Sequence, residues 1–184
     1  MNPDNDTRPG VADVSLSRAR EAKLEAALAS LPRVPLVSVK PTPLEPLPRL
    51  SELLGGPPLY VKRDDLTGLA FGGNKTRMLE FSLAHAREQG AEVIVTGAAV
   101  QSNYCRQISA ACARLGLELH LILRPVRPID REEVQGNHLL MRMFGAKVTV
   151  LEDPNVQKQE IAARIDELRS QGRRVYQPRL VDID

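Results

Sequence analysis

Between residues 74 and 176, four segments with helical apolar periodicity alternate with four short apolar runs. Each helical segment is followed by a glycine, a frequent signal just past a helix C-terminus. The predicted helices are 74–88, 102–115, 131–144 and 155–171, and the predicted strands are 92–97, 118–123, 147–151 and 173–176. Repeated helix–glycine–strand units are typical of βαβ topology. The sequence therefore predicts an α/β fold, with a three-layer open parallel sheet that carries helices on its faces.

The region before residue 74 does not follow this alternation. Residues 1–14 are polar and are expected to form a disordered tail, and 15–30 has the periodicity of a helix. Residues 32–58 contain eight prolines, which favour an irregular, partly extended connection with a short helix at 47–54. A further strand is predicted at 59–63.

A glycine pair leads into the first helix of the alternating region, in the run Gly72-Gly73-Asn74-Lys75-Thr76-Arg77. The positive end of the helix dipole disfavours a charged lysine there. The same field favours the neutral amine, which is the form that attacks an aldehyde. Residues 68–76 nearly match the phosphate-binding loop GxxxxGK[ST], but Asn74 separates Gly73 from Lys75, so the match fails. A purely structural alternative stays open, in which the glycines form a turn and Lys75 is solvated.

A second polar motif, Gln101-Ser102-Asn103, opens the helix that follows strand 92–97. In open α/β sheets, ligands bind beyond the carboxyl ends of the strands, and free N–H groups at a helix start favour a carboxylate or phosphate. The run Thr96-Gly97-Ala98-Ala99, at the end of the strand, would let a ligand approach the backbone closely. Ser102 is also a good N-cap, so capping alone is an alternative explanation for it. Arg106, one turn further on, could be only a surface or partner charge.

Composition argues against several other classes of protein. Hydrophobic residues make up 42% of the chain, enough to form a core, and the net charge is only +2 without long runs of like charge. With 3% aromatics and no Trp, a nucleic-acid partner is not expected. No run approaches the roughly 18 apolar residues of a membrane span, and the polar N-terminus lacks a signal-peptide pattern. Cys105 and Cys112 lie two turns apart on one helix face and are expected to be free, buried thiols, which favours a reducing, cytoplasmic location.

Other polar and sulfur-containing residues are expected to be structural, and no metal site is predicted. The three histidines, His85, His120 and His138, have no ligand spacing. Asp64-Asp65 is interpreted as a turn stabilised by backbone hydrogen bonds. Met141 and Met143 are expected to be packing residues of a helix that faces the core.

Taken together, the two polar motifs resemble a known family. Gly72–Arg77, the apolar strand, Gln101–Asn103 and the following Arg106-Gln107 are similar to the pyridoxal-phosphate enzymes of the 1-aminocyclopropane-1-carboxylate deaminase and D-cysteine desulfhydrase family. This family belongs to the tryptophan-synthase-beta-like, or fold type II, group. The similarity extends over about three quarters of the chain and includes the segments 34–36, 41–44, 62–65 and 136–140.

The resemblance implies pyridoxal 5'-phosphate as cofactor and a small amino acid as substrate. Lys75 would be the catalytic Schiff-base lysine and would then act as acid and base on the substrate carbon. Asn74 would lie near the cofactor, and Asn103 would hydrogen-bond its 3-hydroxyl oxygen. Gln101, Ser102 and Asn103 would bind the substrate carboxylate, with Ser102 also counted as catalytic. Family members open a strained ring or eliminate a β-substituent, releasing ammonia and a keto acid, and the resemblance also suggests a homodimer.

The sequence departs from the family pattern in two respects. Many members have a phosphate-binding lysine three residues after the Schiff-base lysine, where this chain has Met78. Family chains are also nearly twice as long, so an N-terminal portion is expected, whether a fragment, a frameshift product or a genuine short form. Residues 76–160 would form a nearly complete small α/β domain, and 15–75 plus 161–184 part of a large domain with unpaired sheet edges. The alternative is a non-catalytic α/β remnant that binds an anion or a partner subunit.

Overall fold

The computed structural model describes residues 11–127 and 134–178, with side chains from residue 18 onward. The chain divides into two compact units after Pro32. In the first unit, the described element is helix α1, Val11–Ala29. It begins before the predicted start at residue 15, because the last helix-breaking pair, Pro9-Gly10, directly precedes it. Residues 11–14 are therefore helical rather than disordered, and the rest of the predicted tail lies outside the described residues.

In the second unit, the proline-rich region forms a small antiparallel sheet and a short helix. Strand β1, Leu44–Pro46, pairs with strand β2, Tyr60–Lys62, and helix α2, Pro48–Leu54, lies between them in sequence. The predicted helix and the predicted strand at 59–63 are confirmed. Strand β1 was not predicted, because prolines lack the amide donor of a sheet ladder and are tolerated only at such edge positions.

A four-stranded parallel sheet forms the centre of residues 33–184. Its strands are β3 (Val93–Thr96), β4 (Glu118–Leu123), β5 (Lys147–Val150) and β6 (Val175–Tyr176), in the spatial order β5-β4-β3-β6. Its helices are α3 (Lys75–Glu88), α4 (Asn103–Leu115), α5 (Gly136–Met143) and α6 (Gln157–Ser170). The predicted alternation and the parallel α/β sheet are confirmed. The glycines after these helices all have positive φ, as the C-terminal signal requires.

The sheet separates two hydrophobic clusters, which gives the predicted three layers. On one face, Ile94 and Leu121 pack with α3, α4 and α5, and on the other face Val93 and Val95 pack with α6. Alternate residues of β3 are thus buried in opposite clusters, as a parallel strand covered on both faces requires. Helices α3, α4 and α5 therefore cover one face of the sheet and α6 covers the other.

Helix α5 differs from its prediction in two ways. It begins at Gly136 rather than at residue 131, because Gly136 has a φ of 58° and the preceding Gln135 is extended. Residues 131–133 of the predicted helix lie outside the described residues. Met141 is fully buried as predicted, but the prediction for Met143 is wrong, because 70% of its surface is exposed. Residues two apart on a helix do not share a face.

Residues 33–184 form a single compact unit. The predicted division into a small domain at 76–160 and parts of a large domain therefore has no test in this structure and stays a prediction. Within the residues that the structure describes, no helix is both long and apolar enough to cross a membrane.

Candidate functional site

The glycine pair before α3 is required by close backbone packing. A Cβ on Gly72 would lie 1.7 Å from the carbonyl oxygen of Asp65, so no side chain fits there. A Cβ on Gly73 would lie 2.4 Å from Nε2 of Gln107, and the Gly73 N–H donates to Thr67 Oγ1 at 2.9 Å. The pair therefore forms the tight turn that the sequence indicated, and the turn is pressed against helix α4.

Lys75 is the first residue of α3 and is half-buried. Among the described residues, its amine has no hydrogen-bond or ion-pair partner. The next residue, Thr76, donates to Gln107 Oε1 from both its N–H (2.8 Å) and its hydroxyl (2.7 Å). Gln107 is itself 1% exposed, so the backbone around Lys75 is held firmly while the amine remains available. Asn74, at the N-cap position, makes no capping hydrogen bond with its side chain.

The N-terminus of α4 carries the second motif. Ser102 is the N-cap and its Oγ accepts from the Cys105 N–H at 3.3 Å, as capping predicts. The N–H groups of Asn103 and Tyr104 have no backbone acceptor within the described residues. Unpaired donors at the positive end of a helix favour an anion. The geometry thus supports both interpretations of Ser102, as a cap and as part of an anion-binding turn.

A single guanidinium joins the two motifs. Arg106 donates to the Gly72 carbonyl oxygen at 2.9 Å, to Asn103 Oδ1 at 2.9 Å and to Asn137 Oδ1 at 3.0 Å. Its Nε is buried without a partner in the part of the chain that the structure describes, and burial lowers the pKa of Arg106. The interpretation of Arg106 as only a surface or partner charge is therefore wrong, because it links the loop before Lys75 to the start of α4.

The side chain of Gln101 is bonded at both ends to the start of α5. Its Oε1 accepts from the Asn137 N–H at 2.9 Å, and its Nε2 donates to the Gln135 carbonyl oxygen at 3.1 Å. These two bonds hold the side chain of Gln101 against the start of α5. The substrate-binding role of Gln101 stays a prediction.

Sequence reasoning did not give a site role to two residues, Gln107 and Asn137. Each is hydrogen-bonded to a residue more than thirty positions away in sequence: Gln107 to Thr76, and Asn137 to Gln101. The only local signal was the Gly136-Asn137 pair inside a helical pattern, since a glycine that close to an amide often marks a special turn. Gly136 has a φ of 58°, which favours glycine, and a Cβ there would also lie 2.8 Å from Gln101 Oε1.

The close packing of the neighbouring strand β4 is a simpler explanation for the glycine at position 97 than the approach of a ligand. A Cβ on Gly97 would lie 2.0 Å from the carbonyl oxygen of Ile122 in β4, so the glycine allows the neighbouring strand to pack. Gln157 Nε2 donates to that same oxygen at 2.7 Å and to the Ala98 oxygen at 3.0 Å. Helix α6 therefore stabilises the turn after β3.

The residues that were predicted to be structural have separate structural partners. Asp64 begins a 3-10 turn as predicted and pairs with Arg77 at 2.7 Å, and that hydrogen bond lowers the pKa of Asp64. Each histidine has a different kind of partner: His85 pairs with Tyr176, His120 with Glu118, and His138 with Arg142. Cys105 and Cys112 are free and buried, as predicted, and burial raises the pKa of each thiol to about 12.

Comparison with known proteins identifies the family. The family profile described as pyridoxal-phosphate dependent enzyme matches residues 36–181, and the chain belongs to this family. D-cysteine desulfhydrases from Serratia proteamaculans (strain 568) and from Yersinia enterocolitica are 45% and 46% identical to it. Each alignment covers 83% of this chain but 46% of the relative, so the chain spans about half the length of these relatives.

Solved structures agree with this assignment. An ACC deaminase homologue, 39% identical, matches with a TM-score of 0.74 over 84% of this chain and 46% of that chain. A hydrogen sulfide-producing enzyme from Fusobacterium nucleatum, 18% identical with a TM-score of 0.54, shares the fold alone. These similarities confirm the resemblance and the fold class that the sequence predicted.

The donor set of the site fits pyridoxal phosphate. A half-buried amine without a partner, Lys75, suits a covalent bond to an aldehyde, and the amide side chain of Asn103 and the N–H groups at the start of α4 suit acceptor oxygens. Met78 is partly buried against the core and adds no charge for a phosphate. Phosphate binding would therefore depend on other groups than the lysine found at this position in many family members.

Proposed function

We propose that this chain is a pyridoxal-phosphate-dependent lyase or deaminase that acts on a small amino acid and releases ammonia and a keto acid. The observation that carries the proposal is the link made by Arg106, which binds both the loop before Lys75 and Asn103. This link supports a single site that would contain the Lys75 amine and the anion-binding start of α4. D-cysteine is the favoured substrate because the curated relatives are D-cysteine desulfhydrases, and 1-aminocyclopropane-1-carboxylate is the second candidate.

Each residue of the site has a role that matches its chemistry. Lys75 Nζ would hold the cofactor covalently and later carry a proton to or from the substrate α-carbon. Asn103 would donate a hydrogen bond to a cofactor oxygen, and Asn74 would lie beside the cofactor. When bound, pyridoxal phosphate supplies the electron sink that stabilises a carbanion.

The substrate carboxylate would bind at the start of α4. The free N–H groups of Asn103 and Tyr104 and the Ser102 hydroxyl are donors at the positive end of the helix, where a carboxylate is favoured by roughly 0.3–1 kcal/mol or more in a partly buried site. Gln101 would contribute its main chain. We further propose a cytoplasmic location, which the two free, buried cysteines favour, and a homodimeric assembly.

The decisive experiment is to locate the lysine that reacts with pyridoxal phosphate. The purified chain is mixed with pyridoxal phosphate, reduced with borohydride and mapped by mass spectrometry. We expect modification of Lys75, loss of the violet absorbance band in Lys75→Ala, and retention of the band in Lys158→Ala, a matched change on the exposed side of α6. Sulfide release from D-cysteine and ammonia release from 1-aminocyclopropane-1-carboxylate then choose the substrate.

Labelling scattered over several surface lysines would contradict the proposed function. The alternative, an anion-binding or partner-binding module without catalysis, predicts that inorganic phosphate binds equally well to the original chain and to Lys75→Ala. That result would mean that the start of α4 binds the anion and that Lys75 has no part in the function.

A further inference from the structure

Asn103 lies in a closed network of side-chain hydrogen bonds that joins α4 to α5. Its Oδ1 accepts from Arg106 at 2.9 Å and from Asn137 Nδ2 at 3.0 Å. Asn137 Nδ2 also donates to the Gln101 carbonyl oxygen at 2.8 Å, and Asn137 Oδ1 accepts from Arg106 at 3.0 Å. Every polar atom of the Asn137 side chain is therefore used in holding this corner of the site.

Groups with only one hydrogen-bonding role fix the orientation of each amide in the network. A guanidinium can only donate, so the atoms that face Arg106 on Asn103 and Asn137 must be oxygens. A backbone carbonyl can only accept, so the Asn137 atom that faces the Gln101 oxygen must be nitrogen. Rotating either amide by 180° would place two donors or two acceptors against each other, which costs about as much as a lost hydrogen bond or more.

The fixed orientation of the Asn103 amide determines which of its atoms is free to bind another molecule. With its oxygen occupied by two donors, the free end is the Nδ2 group, which has no acceptor among residues 18–127 and 134–178. Asn103 is exposed, so this group can reach a bound molecule. The site thus presents a donor of fixed orientation beside the turn that leads to Lys75.

We propose that Asn137 and Arg106 are positioning residues that hold Asn103 with its Nδ2 group outward, as a hydrogen-bond donor to the phenolic oxygen of pyridoxal phosphate. This inference rests on the proposed function and extends it to α5, the helix that carries Asn137. Gly136 supports this arrangement, because a Cβ there would lie 2.8 Å from Oε1 of Gln101, the atom that accepts from the Asn137 N–H.

The first test measures the Asn103 side chain in the cofactor-free protein. The chain has six asparagines, so selective ¹⁵N-asparagine labelling gives few side-chain NH₂ signals, and Asn103→Asp assigns the one of interest. We expect the Asn103 NH₂ group to be as ordered as the backbone, and to gain fast motion in Asn137→Ser. The exposed, unbonded Asn74 is the internal reference for a mobile side chain. An Asn103 amide that is as mobile as Asn74, or unchanged by Asn137→Ser, would overturn the inference.

The second test is a double-mutant cycle on the apparent Kd of pyridoxal phosphate. Asn103→Asp keeps the acceptors for Arg106 and Asn137 but removes the outward donor, and we expect about tenfold weaker binding. Asn137→Ser should weaken binding about fivefold, since it acts only through Asn103. If Asn137 affects cofactor binding through Asn103, the double variant should bind no more weakly than Asn103→Asp alone. Additive effects would show that Asn137 acts through its other bonds, to Gln101 and Arg106, and is only a clamp between helices.

Controls separate positioning from damage to the fold. Asn155→Ser removes an asparagine side chain from the exposed turn before α6 and should leave the Kd within about twofold. Arg106→Lys retains the charge but lacks the planar fork, so it should reproduce the mobility of Asn103 and the weaker binding even if Asn137→Ser folds poorly. Failure of the unsubstituted chain to form a Lys75 adduct would contradict the proposed function, whereas the ordering test on cofactor-free protein judges the positioning role separately.

Discussion

At the scale of single residues, Glu80 shows how one buried carboxylate fixes a segment of chain. It is fully buried, and its Oε1 accepts from the N–H groups of Leu36 (3.0 Å) and Val37 (2.9 Å), while Arg33 and Lys40 pair with it. Burial raises the pKa of Glu80, but the bonds from the Val37 N–H, Arg33, Lys40 and the Leu36 N–H outweigh it and hold the pKa below its ordinary value. The extended segment before β1 is thereby tied to α3, the helix that begins at Lys75.

We expect Glu80→Gln to lower the free energy of unfolding at pH 7 by about 2–3 kcal/mol, because the two backbone donors and two cations lose their charged acceptor. A depressed carboxyl pKa contributes stability that is fully present above the ordinary value of 4.5 and is lost as pH falls through the folded-state value. The difference between the two proteins should therefore shrink below about pH 4.5.

Urea denaturation at a series of pH values measures this difference. Glu160→Gln, at an exposed position of α6, is the control and should change stability by less than about 0.5 kcal/mol. A difference for Glu80→Gln that stays constant down to pH 3 would contradict the assignment of its stabilising effect to the ionised carboxylate.

The candidate site was predictable from sequence where its chemistry is local. Lys75 and Ser102 each stand at a helix start, and a helix start can be read from capping residues and glycines. Gln107 and Asn137 could not be found in this way, because their roles arise from hydrogen bonds to residues more than thirty positions away. The misjudged Arg106 belongs to the same group, since nothing near it in sequence indicates that it binds the Gly72 carbonyl oxygen.

At the scale of elements, the turn before α3 depends on Gly72. Its backbone, with φ 71° and ψ −178°, lies in a region that is essentially accessible only to glycine, and a Cβ would meet the Asp65 oxygen at 1.7 Å. Gly145 is the matched comparison, because its φ is also positive, 82°, but a Cβ there would have nothing within 4 Å. The two positions separate backbone strain from steric conflict.

We expect Gly145→Ala to cost about 1–2 kcal/mol of stability from backbone strain alone. Gly72→Ala should cost about 3 kcal/mol or more, or displace the turn, because strain and overlap add. Thermal denaturation gives the stabilities, and borohydride labelling shows whether Lys75 still reacts with pyridoxal phosphate. Equal effects of the two substitutions, with labelling preserved in both, would mean that the turn tolerates rearrangement and does not position Lys75.

Elements of the alternating region were predictable because each is terminated by its own local signals. Helix α4 and strand β4 match their predicted bounds closely, and the glycine after α4 marks its end. Strand β1 and the start of α5 were missed for the opposite reason. The pairing of β1 with β2 is a tertiary contact that overrides the low strand propensity of prolines. The start of α5 is held by hydrogen bonds between Gln101, more than thirty positions away, and residues 135 and 137.

At the scale of the whole molecule, an exposed apolar face stands out on the small antiparallel sheet and its helix. Leu53 is 80% exposed and Leu54 64% exposed on α2, and Leu44 on β1 and Tyr60 on β2 are also exposed. An open groove of about 590 Å³ lies along residues 46–53. Contiguous exposed apolar surface next to a two-stranded sheet favours association with another protein surface.

We expect the chain to self-associate through this face in a concentration-dependent manner, in keeping with the proposed homodimer. Leu53→Lys places a charge on this face, at a leucine that is 80% exposed, and should weaken association at least about tenfold, since a charge without a partner is costly in an apolar interface. Met143→Lys is the matched control, because Met143 is 70% exposed on α5, away from this face in the sequence and on another element. Sedimentation velocity over a range of concentrations measures the effect.

A monomer at every concentration, or equal weakening by both substitutions, would contradict an interface at α2. Selective loss in Leu53→Lys would instead assign the face to assembly, and a pyridoxal phosphate Kd unchanged in the same variant would show that assembly and the Lys75 site are independent.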